Sequence, residues 1–222
     1  MTLTPEQEAL VQRAKAVVSP FDIGSCLSRG WEILKADFWG MLGAFLVLFV
    51  LVIGLSVLSL IPLLGILINV IVAPALSLGA VTWFLARARN EPAPLGLIFS
   101  GFSRFGEALA LYLVVAILVV VGLLFCILPG IYLAIAWGAS WPLLADRKGG
   151  FWECMEMRRR AITAHFGWAL LLYLVLSLVG IAGVLACGLG LIVTLPLAYF
   201  AGAVAYLRLF DSQQAASHFS AQ

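Results

Sequence analysis

Three long runs without a charged side chain dominate this sequence. All 13 Lys and Arg residues and all 11 Asp and Glu residues lie outside Phe38–Ala86, Ala108–Ala145 and Ala161–Leu207. These runs are 49, 38 and 47 residues long. Because a helix needs about 20 residues to cross a bilayer core of about 30 Å, each run is too long for one span and fits two. We therefore predict an all-α polytopic membrane protein with six transmembrane helices in three hairpins.

The boundaries of the six spans follow from short turns and from the flanking charges. Turns near Ile61, Pro129 and residues 188–190 join the two helices of each hairpin. The fourth span is short and contains Pro142, so it needs interfacial residues or a locally thinner bilayer to cross. The spans are predicted at Trp39–Ile61, Leu64–Leu85, Glu107–Leu128, Ile131–Ala145, Phe166–Cys187 and Leu191–Leu209.

The composition excludes a soluble domain. The chain is 64% hydrophobic and 11% charged, whereas soluble domains carry about 25% charged residues. The first 37 residues hold no apolar stretch of signal-peptide length, so we expect no cleaved export signal. Lys and Arg concentrate on the cytoplasmic side of membrane proteins, and every one here lies on the same side of the predicted hairpins. Both termini are therefore expected in the cytoplasm.

The three hairpins resemble copies of one unit, and each is preceded by a short amphipathic helix. Such helices lie in the plane of the membrane interface. A helix plus a hairpin returns the chain to the same side, which predicts a threefold parallel repeat, although chance similarity among apolar segments is the alternative. The helices are Asp22–Ala36, Leu95–Phe105 and Phe151–Ala164, and the units cover about 21–87, 95–147 and 149–210.

Two terminal segments flank the six-helix transmembrane domain, residues 21–210. Residues 1–20 are predicted as an N-terminal cytoplasmic helix, which begins with a capping box between Thr4 and Gln7. Residues 211–222 are rich in Ser, Gln and Ala and are predicted as a disordered tail.

No residue pattern indicates a catalytic, cofactor-binding or metal site. Functional groups inside membranes are usually ionisable, and the predicted spans contain no Asp, Glu, Lys or Arg except Glu107 and Arg208 at their cytoplasmic ends. The four cysteines are far apart in sequence, which does not suit a metal site. Cys126 and Cys187 approach the outer ends of their spans, where either a disulfide or two small buried hydrophobic residues fit.

One polar group near the third hairpin permits a chemical alternative. His165 follows a helix that contains Glu153, Cys154 and Glu156, which together suggest an acid-base or metal cluster. The same residues are expected on the wet face of an interfacial helix. We favour the second interpretation, and predict that the protein is not an enzyme and carries no cofactor.

Five basic residues form the strongest local charge signal. Three of them belong to the predicted helix Phe151–Ala164. In that helix, Met155 and Ile162 are expected on the face opposite the charged residues, which include Arg158. Each basic residue near an anionic leaflet contributes about 1 kcal/mol of attraction, so the group is a candidate contact for anionic lipids or for an acidic partner. The simpler alternative is that these charges only hold the loop inside. The residues are Arg147, Lys148, Arg158, Arg159 and Arg160.

Several segments resemble a family of bacterial six-span membrane proteins of uncharacterised function. The first amphipathic segment also resembles the membrane domain found beside some glycerophosphodiester phosphodiesterases. The resemblance implies a multi-pass domain of the cell inner (plasma) membrane and carries no activity with it; no phosphodiesterase domain is present here. The segments are 22–32, 127–131, 145–146, 153–159, 166–168, 188–190 and 195–196.

Three classes of function remain open. A non-enzymatic membrane domain would contact the lipid bilayer, including anionic lipids, and a membrane-protein partner or a second copy of the chain. A transporter or channel would need a cargo that is small and apolar or lipid-like, because the spans supply few polar groups. A lipid-modifying enzyme would need a catalytic set that the sequence does not display. We favour the first class, and expect no nucleic-acid partner.

Overall fold

The computed structural model describes residues 3–17, 23–36, 38–58, 60, 62–138, 140–185 and 190–211. Every regular element within these ranges is helical, which confirms the all-α prediction for this part of the chain. A 3-10 helix, Leu95–Arg104, lies between the fourth and fifth α-helices. The α-helices are α1 (Pro5–Ala16), α2 (Ile23–Ala36), α3 (Phe38–Leu58), α4 (Pro62–Ala88), α5 (Phe105–Phe125), α6 (Ile127–Gly138), α7 (Trp141–Ala145), α8 (Phe151–Ala164), α9 (Phe166–Leu185) and α10 (Leu191–Phe210).

Among the described residues, five helical segments are long and apolar enough to cross a membrane. They are α3, the Val70–Ala88 part of α4, the 3-10 helix together with α5, α9 and α10. In their most apolar stretches, half of α4 and 44% of α10 are buried, against 11% of α3 and 17% of both α5 and α9. Thus α4 and α10 lie inside the bundle. The outer helices expose large apolar side chains over most of their length, as helices in contact with lipid do. These are the helices of a multi-pass membrane protein.

The fourth predicted span, Ile131–Ala145, is divided between two short helices. The 12 residues of α6 end at Gly138, and the five residues of α7 begin at Trp141. Pro142 stands in the first turn of α7, where its missing amide hydrogen costs little. Deeper in a continuous helix, its ring would clash with the preceding turn and remove a hydrogen bond. The proline therefore favours a new helix start here, and neither piece alone has the length of a span.

The elements that precede α3, α5 and α9 each pack against a helix from another part of the chain. Helix α2 packs on α10, the 3-10 helix packs on α4, and α8 packs on α6 and α7. Glycines permit a close approach in two of these contacts. A Cβ on Gly30 would lie 3.2 Å from the backbone nitrogen of Ala201, and a Cβ on Gly101 would collide with the backbone carbonyl oxygen of Ala75. We call α1, α2, the 3-10 helix, α8 and the segments 89–94 and 146–150 together the charged face.

Within the charged face, helix α1 packs against α8. The predicted capping box is confirmed, because Thr4 Oγ1 accepts a hydrogen bond from the backbone of Gln7 and Gln7 Oε1 accepts one from the backbone of Thr4. Gln7 is itself buried, and its Nε2 donates to the Lys148 carbonyl at 3.0 Å and to Glu153 Oε2 at 2.8 Å. One side chain thus starts the helix and attaches it to the segment before α8. Residues 212–222, predicted as a disordered tail, lie outside the described residues.

Candidate functional site

One polar cluster joins residues that follow α4, α7 and α10. Arg89 follows α4, Asp146 follows α7, and Asp211 follows α10. Arg89 Nη1 and Nη2 donate to the two carboxylate oxygens of Asp146 at 2.8 and 2.6 Å, and Nη2 lies 3.3 Å from Asp211 Oδ2. The Tyr206 hydroxyl donates to Asp146 Oδ2 at 2.8 Å. We call these four residues the Arg89 cluster.

The Arg89 cluster is built to hold helices together. The side chains of Arg89 and Asp146 are only 16% and 10% exposed, and their paired, parallel hydrogen bonds are the strongest arrangement for these groups. Hydrogen bonding to Asp146 holds the pKa of Arg89 above its ordinary value. Because both carboxylates contact the same guanidinium, neither is available as a free acid or base. This cluster was not predicted from the sequence.

The structure separates the five basic residues predicted as a lipid or partner contact. Arg147 is exposed in the turn after α7, with a positive φ of 54°. Lys148 is half-buried, and its carbonyl oxygen receives the hydrogen bond from α1. Of the five, Arg158 alone is buried. The five residues therefore differ in exposure and in hydrogen bonding, and do not form one uniform basic patch.

Arg159 and Arg160 share one carboxylate. Arg159 Nη2 and Arg160 Nε each donate to Glu156 Oε1 at 2.7 Å, because spacings of three and four residues bring side chains together on one face of a helix. The hydrogen bond from Arg159, followed by that from Arg160, lowers the pKa of Glu156 to about 2. Glu156 is therefore ionised near neutral pH. The two arginines retain side-chain exposures of 39% and 40%, so they still reach the surroundings with a net positive charge.

Arg158 turns into the molecule. Its relative exposure is 7%, and within the described part of the chain its Nε and Nη1 are buried without a hydrogen-bond partner. Its guanidinium carbon lies 5.9 Å from the centre of the Phe210 ring. The expectation that Arg158 lies opposite the apolar residues of its helix is wrong. Helical spacing shows why, because Arg158 follows Met155 by three residues and precedes Ile162 by four, which places it on the apolar face.

A cavity of about 260 Å³ lies beside Arg158. Residues of α4, α7, α8, α9 and α10 line it together with Gly138 at the end of α6, and its walls are mainly apolar and aromatic. Arg158 is the formally charged residue among them, and Tyr206 of the Arg89 cluster lies at the same wall. The cavity thus combines an apolar interior with a guanidinium whose Nε and Nη1 have no hydrogen-bond partner among the described residues. The walls include Leu85, Trp141, Trp168, Leu172 and Tyr199.

The alternative acid-base or metal cluster around His165 does not assemble. The ring Nε2 of His165 lies 3.2 Å from the carbonyl oxygen of Ala14, while the Glu153 carboxylate accepts a hydrogen bond from Gln7. Burial raises the pKa of Cys154 to about 12, so its thiol stays protonated at neutral pH. Among the described residues, no three His, Cys, Asp or Glu side chains come together as metal ligands. Cys187, one half of the possible disulfide with Cys126, lies outside those residues.

Comparisons with protein-family models, with curated proteins and with solved structures give no match for this chain.

Proposed function

We propose that this protein is a non-enzymatic domain of a bacterial inner membrane that binds anionic lipids at its cytoplasmic face. The charged face would be the cytoplasmic one, because it carries 11 of the 13 basic residues and positive charge is retained inside. The resemblance to bacterial six-span proteins supports the choice of membrane. A membrane-protein partner or a second copy of the chain would meet the same face.

Six spans require that α6 and α7 cross the membrane together. Their 12 and five residues give about 26 Å of helix at about 1.5 Å per residue, which is close to the hydrocarbon thickness. Helices broken in this way occur in membranes where the exposed backbone is covered by protein. Here α8 packs against α6 and α7, and α4 packs against α7.

The packing of the three units supports the proposed threefold repeat. In each case the element before a hairpin packs on the second helix of the preceding hairpin, counting the third as preceding the first. The Arg89 cluster joins residues that follow the second helix of every unit. This is the contact pattern expected of three parallel units around one axis.

Exposed aromatic side chains on the charged face carry the proposal. Each amphipathic element presents at least one: Trp31 on α2 is 40% exposed, Phe102 on the 3-10 helix 45%, and Trp152 on α8 45%. Lys35 Nζ lies 5.3 Å from the centre of the Trp31 ring. Aromatic rings beside basic residues are typical of helices that lie among lipid headgroups. The charged face is therefore suited to contact an anionic leaflet at three places.

Native mass spectrometry of the protein released from its own membrane tests this function. We expect bound anionic lipid, enriched over its share of the whole membrane. A bare monomer, or lipids in bulk proportion, would count against the proposal. A control protein with six spans and no aromatic residues at its cytoplasmic interface, prepared in the same detergent, sets the background of retained lipid.

A transporter for a small apolar or lipid-like cargo is the second candidate. An apolar groove of about 330 Å³ between α3, α4 and α10 favours it, since such a groove accepts an acyl chain. Flux of a fluorescent lipid across proteoliposomes would distinguish the two. A rate above that of protein-free vesicles supports transport, and an equal rate supports binding alone.

A further inference from the structure

Arg158 is in an unfavourable environment in the unliganded protein. A guanidinium remains protonated at all ordinary pH values, so it cannot escape burial by losing its charge. A buried charge without hydrogen-bonding partners is costly, and Phe210 offers an aromatic face but no acceptor oxygen. The cavity beside Arg158 is the space from which a partner could approach. An anion there would satisfy the free Nε and Nη1.

A matching position in α2 shows how Arg158 differs from a purely structural residue. Helices α2 and α8 both have 14 residues, and the fourth of each is a fully buried cysteine, Cys26 or Cys154. The eighth residue is Gly30 in α2, which packs tightly against α10. The eighth residue of α8 is Arg158, which faces a cavity instead. At this position Gly30 lets α2 contact α10 closely, whereas Arg158 of α8 has a long charged side chain that lines a cavity.

The walls of the cavity define the rest of the ligand. A small hydrophilic anion would satisfy the guanidinium but would leave apolar surface beside it without a partner. A neutral apolar molecule would leave the charge unsatisfied. The stacked rings of Phe84 and Tyr199, 4.8 Å apart, line both this cavity and the apolar groove between α3, α4 and α10. An acyl chain that follows the α4 and α10 walls of the cavity, which include these two rings, can therefore carry an anionic group at Arg158.

We propose that the cavity binds one anionic lipid, with the phosphate or carboxylate on Arg158 and the acyl chain along α4 and α10. The site rests on the proposed function, because it places the cavity in the cytoplasmic leaflet. It goes further in naming one residue, one ligand class and a single bound molecule.

Lipid titration of the delipidated protein in a non-ionic detergent tests the ligand class. Dioleoylphosphatidylglycerol should raise the thermal unfolding midpoint in a saturable way, with one lipid per chain, because a ligand that binds only the folded state stabilises it. Zwitterionic dioleoylphosphatidylcholine should have little effect. Oleate as effective as phosphatidylglycerol would identify an acyl carboxylate, and a weaker oleate would identify a phosphate, both within the proposal. An equal response to phosphatidylglycerol and phosphatidylcholine, or no response, would overturn it.

Arg158→Met tests the residue. It should weaken the binding of phosphatidylglycerol by about tenfold or more, since hydrogen bonds to a charged group are lost. The lipid-free variant should be at least as stable as the wild type, because a buried unpaired charge has been removed. Arg13→Met, at an exposed position of α1 outside the cavity, is the matched control and should bind normally. Unchanged binding by Arg158→Met would overturn the proposal.

A second variant blocks the cavity and leaves Arg158 in place. Gly202 lines the cavity, and a Cβ there would meet nothing within 4 Å, so Gly202→Leu should fill the space without a clash. We expect it to abolish the saturable stabilisation. Gly180→Leu is the control, because Gly180 also faces open space but does not line the cavity. Normal binding by Gly202→Leu would refute the site while leaving lipid retention by the wild type, and hence the proposed function, intact.

Discussion

Arg89 and Arg158 are both largely buried near the charged face, but their surroundings differ. Arg89 donates two parallel hydrogen bonds to Asp146 and approaches Asp211. Arg158 has a ring face and a cavity beside it, and its Nε and Nη1 lack partners among the described residues. A paired buried charge holds a structure together, whereas an unpaired one costs stability unless a ligand satisfies it. The two arginines therefore predict opposite responses to removal of the charge.

Arg89→Met should destabilise the protein by about 3 kcal/mol. Breaking a buried ion pair typically costs about 3–5 kcal/mol, and the remaining exposure of Arg89 and Asp146 places this pair at the low end. Reversible unfolding in mixed micelles measures the loss. Glu32→Gln is the control: it breaks an ion pair with Arg29 in which the Glu32 side chain is 57% exposed, and should cost about 1 kcal/mol or less. Similar losses in the two variants would show that the Arg89 cluster is not a structural clasp.

Sequence alone predicted part of the residue-level picture. The Glu156–Arg160 pair and the Thr4 capping box were predictable because their partners lie within one helical turn. The Arg89 cluster was not, since its partners are 57 and 122 residues apart and meet only after the helices pack. Arg158 was predicted as a basic contact residue on the charged side of its helix. Its spacing from Met155 and Ile162 instead places it on the apolar, inward face. The cavity beside it depends on packing among six helices, which no local pattern specifies.

At the level of elements, Pro74, Pro142 and Pro196 show that the presence of a proline does not by itself decide whether a helix breaks. Pro74 and Pro196 lie inside the continuous helices α4 and α10. Pro142 instead marks the start of α7, after α6 has ended. Membrane helices accept proline where neighbouring groups satisfy the freed backbone, so the outcome depends on packing. The apolar runs predicted the positions of the long helices, but could not predict which proline accompanies a break.

The 3-10 helix supplies a test of packing between elements. Gly101→Ala should destabilise the protein by about 2 kcal/mol, because the new methyl group would collide with backbone atoms of α4 and overpacking costs about 1–3 kcal/mol. Gly96→Ala in the same 3-10 helix is the matched control, since a Cβ there meets nothing within 4 Å. It should be neutral or slightly stabilising. Thermal unfolding in detergent measures both, and equal midpoints would contradict the close contact between this helix and α4.

At the scale of the whole molecule, charge and packing point to the same organisation. In the sequence the charges lie outside the three apolar runs, and the described structure brings Arg89, Asp146 and Asp211 together at the ends of α4, α7 and α10. The second helices α4 and α10 lie inside, while α3, α5 and α9 expose apolar surface. An inner set of helices joined by ion pairs leaves the outer set free to match the lipid. Recognition is therefore expected where the inner helices end, at the charged face.

Cysteine labelling tests the orientation of the whole molecule. Cys126 is exposed at the end of α5, whose 21 residues place it about 31 Å from the charged face. In a variant that retains only Cys126, a membrane-impermeant maleimide should label intact spheroplasts from outside. Arg147→Cys in a cysteine-free background should react only after permeabilisation, because Arg147 is exposed on the charged face. A variant with Cys154 alone should stay unlabelled in both conditions, since burial raises its pKa to about 12. The reverse pattern for Cys126 and position 147 would place the charged face outside the cell and remove the anionic leaflet from the proposed site.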